Sequence, residues 1–129
     1  MATIRSFEEI QAWKKARALA KELFEIFSQA PARRDFALKD QMSRSVGSVM
    51  DNIAEGFERG GNREFIQFLS IAKGSAAETM SQLYRLVDCT YIDQALFDRL
   101  YAEVNSIIKM IGGMISYLKK SDFKGPKFR

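Results

Sequence analysis

The sequence predicts an all-α protein, an up-down-up-down antiparallel four-helix bundle, and three observations carry that prediction. Apolar residues recur every three or four positions through most of the chain, the period of a helix with one buried stripe. Only two prolines occur, Pro31 and Pro126, and the alternating Val, Ile and Thr runs that strands need are missing. The joins between periodic segments are only a few residues long, which forces successive helices to lie antiparallel.

The first helix is expected from about Phe7 to Gln29. Ser6-Phe7-Glu8-Glu9 opens it with a capping-box pattern, in which side chains at both ends satisfy otherwise unpaired N–H groups. Its stripe is Ile10, Trp13, Ala16, Ala20, Leu23 with Phe24, and Phe27; Pro31, which has no N–H, prevents continuation. The second, from about Asp35 to Phe57, places Leu38, Met42, Val46, Val49, Ile53 and Phe57 in line and ends at Gly60-Gly61. Asn62 is expected to cap the third, whose stripe is Phe65, Phe68 with Leu69, Ala72, Ala76, Met80, Leu83, and Leu86 with Val87. Asp93 is expected to cap the fourth, whose stripe is Phe97, Leu100 with Tyr101, Val104, Ile107 with Ile108, Ile111, Met114 with Ile115, and Leu118. Residues 1–118 thus form the bundle domain, and residues 119–129, which lose the periodicity, read as a basic flexible tail.

A chain of 129 residues fits one domain, and 47% hydrophobic residues supply a continuous core. With no His and one Cys, catalytic triads, Cys–His pairs, His-ligated zinc, His-ligated haem and cysteine clusters are excluded on inventory. Cys89 has no partner for an internal disulfide, and its neighbours Leu86, Val87 and Tyr91 suggest a buried thiol in a reducing compartment. Met1 to Arg5 develop no apolar signal stretch before Ser6. The longest charge-free apolar-rich run, Met110–Leu118, falls well short of the roughly 20 residues of a spanning helix, so a cytoplasmic protein without a membrane partner is expected.

Charge is unevenly distributed. Lys119, Lys120, Lys124, Lys127 and Arg129 against Asp122 carry the whole excess of +4, leaving 15 basic and 15 acidic residues in 1–118. Lys14, Arg17 and Lys21 fall on one side of the first helix with Lys15 nearby, a candidate phosphate-binding stripe, although Glu22 and Glu25 follow. Arg33, Arg34, Lys39 and Arg44 are interrupted by Asp35 and Asp40. In the tail, cations interleave with Phe123 and Phe128, which suits electrostatic attachment to RNA or DNA with rings to stack on bases.

Carboxylates are the remaining candidates for chemistry. Ferritin-like di-metal sites need Glu-x-x-His pairs. A magnesium ladder of Glu55, Glu58 and Glu78 lacks the repeated acidic pair, since Ser81 stands three residues after Glu78. No catalytic residue, metal or cofactor is therefore assigned. Small residues cluster midway along the second and third helices, around Ser43, Ser45, Gly47 and Ser48 and around Gly74, Ser75, Ala76 and Ala77. Gly47 and Gly74 each cost about 1 kcal/mol relative to Ala within a helix, which points to close approach of neighbouring backbones, with a ligand pocket as the alternative.

Ile10-Gln11-Ala12-Trp13, Leu38-Lys39-Asp40-Gln41 followed by Arg44, Asn52-Ile53-Ala54-Glu55-Gly56, and Phe65-Ile66-Gln67-Phe68-Leu69-Ser70-Ile71-Ala72-Lys73-Gly74-Ser75-Ala76-Ala77-Glu78 occur in that order. This set resembles the small four-helix bundle proteins also called the 23S rRNA intervening-sequence family, over nearly the whole chain to about Leu118. One departure is Ala30 before Pro31, where the family commonly carries an aromatic. The resemblance implies a homopentamer with no known catalytic activity, and it marks Gln41, Arg44, Asn52, Glu55, Gly56, Gly74, Ser75 and Glu78 as packing and polar-network positions. An Arg44–Glu78 pair fixing helix register is one expectation. Related accessory proteins of diversity-generating retroelements bind nucleic acid and a reverse transcriptase through basic surface. The expected function is accordingly a non-enzymatic oligomer binding RNA or DNA through Lys14, Lys15, Arg17, Lys21, Lys119, Lys120, Lys124, Lys127 and Arg129. The alternative, favoured by the neutrality of residues 1–118, is a protein-interaction scaffold.

Overall fold

The computed structural model describes residues 3–121. A 3-10 turn at Phe7–Glu9 leads into α1 (Gln11–Phe27), a second at Ala32–Arg34 leads into α2 (Phe36–Arg59), and α3 (Asn62–Asp88) and α4 (Gln94–Lys120) follow. There is no strand among the described residues. Pairings between helices fix the topology. Ser48 meets Ser75, Ser45 meets Thr79 and Gln82, and Gln41 meets Arg85, so residue numbers fall along α2 as they rise along α3. Lys15 with Glu103 and Glu22 with Arg99 show the same opposition between α1 and α4. α1 also packs on α2 and α3 on α4, which closes the up-down-up-down bundle.

The helix ends follow local chemistry, with three corrections to the sequence reading. Asp35 and Asp93 cap α2 and α4, accepting from Leu38 N at 3.1 Å and Leu96 N at 2.8 Å, each cap being worth about 1 kcal/mol. Ser6 opens only the 3-10 turn and its side chain makes no cap bond; Glu9 instead accepts from Arg5 N at 3.3 Å, and extended Ile10 separates the turn from α1. Asn62 is the first residue of α3 rather than its cap, because Gly60 takes a left-handed φ of 95° and Gly61 the extended cap position. The Cys89 thiol is exposed, since α3 ends at Asp88 and the chain has already left the core stripe.

The core is one cluster running the length of the bundle, with Met42, Ile53, Leu69, Leu83, Leu86, Leu100, Val104 and Ile111 fully enclosed. Burying each large apolar side chain contributes about 1.5–3 kcal/mol. α1 buries Ala12, Ala16, Leu19, Leu23 and Phe27, while Trp13 and Ala20 are only half-buried and Phe24 lies outside. Ile10, Ala16, Leu23 and Phe27 of the expected stripe are thus buried, and Ala12 and Leu19 take the inward places expected of Trp13 and Ala20.

Candidate nucleic-acid interface

The core line of α1 divides its remaining surface into two flanks with different electrostatics. On the flank toward α4, Lys15 Nζ lies 3.2 Å from Glu103, and Glu22 is paired with Arg99, whose guanidinium is held above its usual range by that hydrogen bond. Lys15 is thereby withdrawn from the predicted phosphate-binding stripe. Arg17 and Lys21 are exposed on the other side; Lys14 is exposed too, two helical turns or about 10 Å before Lys21, but it borders the α1–α4 groove with Lys15, Glu22, Arg99 and Glu103. Among the described residues none of these three makes an ion pair; Arg17 lies 5.9 Å from the centre of the Trp13 ring, which packs edge-on to Phe7.

The same flank continues onto α2. Ala20, Leu23, Phe24 and Phe27 of α1 face Lys39, Met42, Ser43, Val46 and Gly47 across a shallow groove. Lys39 Nζ stands 6.0 Å from the Phe24 ring centre, and Arg33 and Arg34 are exposed in the turn that joins the helices. Phe24 is 65% exposed and Phe36, one turn before Lys39, is 69% exposed. Sequence reasoning missed both rings: Phe24 was read into the stripe through its neighbour Leu23, and Phe36 was not singled out. The available signal was spacing, because Phe36 sits two residues before Leu38 and cannot share its face. Asp35, the acidic neighbour, is occupied. Its Oδ1 caps α2 and its Oδ2 accepts from Tyr91 Oη at 2.9 Å, a bond that, with partial burial, raises the phenol above its usual range.

Lys119 and Lys120 are exposed in the last turn of α4, at the bundle end that also holds the start of α1. Lys124, Lys127 and Arg129 lie outside the described residues. The predicted cations therefore do not form one patch. Lys14 and the end of α4 belong to one end of the bundle, while Arg33, Arg34 and Lys39 belong to the other.

The motif residues divide as well. Asn52 Nδ2 donates to Ser48 O at 2.8 Å and to Ser48 Oγ at 3.0 Å, and Ser48 Oγ is 2.8 Å from Ser75 Oγ. Thr79 donates to Ser45, and Ser45 Oγ is 2.7 Å from Gln82 Oε1, all three residues being buried. Gln41 accepts from Arg85 at 2.6 Å. Gly56 is the close approach: a Cβ there would stand 2.6 Å from Phe68 Cβ and 2.9 Å from Phe65 Cδ1. Gly47 and Gly74, by contrast, face open space, so no backbone approach explains them. Arg44 and Glu78 are both exposed and form no pair with each other, the register role passing to Ser45, Thr79 and Gln82. Glu55 is paired with Arg59 at 2.8 Å, and no cluster of three acidic or Cys side chains able to hold a metal exists among the described residues. No helix among the described residues is long and apolar enough to cross a membrane.

The fold is shared with a crystal structure of a protein of unknown function from the S23 ribosomal protein family of Bacteroides thetaiotaomicron. The two superpose with a TM-score of 0.73 at 24% identity, covering 81% of this chain and 95% of that one. No curated protein matches. Residues 8–113, all of α1 to α3 and most of α4, match the family model described as 23S rRNA-intervening sequence protein, and the chain belongs to that family.

Proposed function

We propose that the protein is a non-catalytic cytoplasmic binding protein for RNA or DNA, gripping the phosphate backbone with exposed, unpaired cations of α1 and of the α1–α2 turn. One observation carries the reading: Lys14, Arg17, Lys21, Arg33, Arg34 and Lys39 make no ion pair among the described residues, whereas Lys15 and Arg99 on the α1–α4 flank are neutralised. Exposed cations without carboxylates are the groups that release counterions from a polyphosphate. Self-assembly into a homopentamer would multiply a weak patch through avidity, with the basic residues 119–129 adding to each copy.

The test is oligonucleotide binding by the full chain across a salt series. Affinity should fall linearly with salt on logarithmic axes, and Lys14→Glu with Lys21→Glu should weaken binding and flatten the slope. Deleting residues 119–129 should flatten it further. Binding that ignores salt, or no binding at the lowest salt, overturns the proposal in favour of a protein-interaction scaffold.

A further inference from the structure

Phe24 and Phe36 are the two most exposed large hydrophobic side chains among the described residues, at 65% and 69%. A phenylalanine left in water forgoes about 1.5–3 kcal/mol of burial, so packing within this chain does not account for them. They are not scattered. Phe24 flanks the α1–α2 groove, Lys39 Nζ sits 6.0 Å from its ring centre, and Phe36 is one turn from Lys39 on the same face of α2. Lys21 is one turn before Phe24, and Arg33 and Arg34 occupy the turn between the helices. The acidic residues on these stretches are Glu22, which is paired with Arg99, Glu25 and Asp40, both exposed, and Asp35, which is engaged in its cap. Cations outnumber free carboxylates here, and the rings stand among them.

Resting on the nucleic-acid reading above, we infer that this surface takes a single-stranded segment, with bases stacked on Phe24 and Phe36 and flanking phosphates met by Lys21, Arg33, Arg34 and Lys39. A duplex hides the faces of its bases and would leave both rings idle; a single strand offers a π-face at each nucleotide, together with a charged backbone. Lys39 already stands beside the Phe24 ring, where the phosphate next to a stacked base would meet it. Stacking is tolerant of sequence, so the expected ligand class is single-stranded RNA or DNA without strong base preference.

The experiment measures binding of the intact chain to a uridine oligoribonucleotide, a thymidine oligodeoxynucleotide and a mixed-sequence duplex of equal length at low salt. Both single strands should bind more tightly than the duplex. Phe24→Ala and Phe36→Ala should each weaken single-strand binding by roughly 5- to 150-fold and leave duplex binding unchanged, while Phe24→Tyr retains it. Duplex and single strands bound alike, with the alanine variants unaffected, would overturn the stacking role and leave the phosphate reading standing. No binding to any of the three would remove both. A change of oligomeric size in either alanine variant without a change in binding would make the rings a contact between copies and overturn the inference.

Discussion

The α2–α3 and α1–α4 seams join their helices by opposite means. Between α2 and α3, Gly56 admits the Phe65 and Phe68 side chains at its surface, and a chain of hydrogen bonds from Asn52 through Ser48 to Ser75, and from Thr79 through Ser45 to Gln82, runs toward the Gln41–Arg85 pair. Between α1 and α4 the polar contacts are ion pairs in contact with solvent, and toward the end of α4 the seam opens into a groove of about 480 Å³ lined by Ile10, Ala12, Met110, Met114 and Leu118. The difference shows which seam sets the register. Sliding α3 by one turn along α2 would break the Ser48–Ser75, Thr79–Ser45 and Ser45–Gln82 bonds together and leave the buried Gln82 oxygen without its donor, at about 1–3 kcal/mol for an orphaned group. Long exposed ion pairs resist such a slide far less.

The comparison breaks most sharply at Gly56. Gly56→Val should destabilise by about 3 kcal/mol in urea unfolding, because Phe68 Cβ is fixed to its own helix and the helices must part. Next in size, Gln82→Ala should cost about 2 kcal/mol by removing the buried side-chain acceptor of the Ser45 hydroxyl and its packing, and its effect should shrink in a Ser45→Ala background, a coupling that a double-mutant cycle reads directly. The smallest effect belongs to the other seam. Lys15→Ala should cost less than about 1 kcal/mol, and the loss should fade as salt rises. A Lys15 effect equal to that of Gln82 would erase the distinction between the seams.

Helix number, order and most boundaries were legible because period and breakers act locally. Leu38, Met42, Val49 and Ile53 declare one face by spacing alone, and Asp93 and Gly60-Gly61 mark ends by backbone chemistry. The polar seam was legible in part: Gln41, Asn52 and Ser75 take their expected places in it, and Arg44 and Glu78 do not. The family resemblance drew attention to Arg44 and Glu78, yet the rotation of α2 and α3 about their axes turns them to solvent and brings in Ser45, Thr79 and Gln82. That rotation is set by packing between helices, which no one-dimensional pattern records. The same limit hid Phe24, whose side chain differs from that of buried Leu23 only by one step around the helix.

Asp35 gives one carboxylate oxygen to the start of α2 and the other to Tyr91 in the connection between α3 and α4. The first turn of α2 is thereby moored to a second part of the molecule, and Phe36 follows Asp35 directly. A visiting strand would find its platform already assembled, and little motional freedom would be surrendered on arrival.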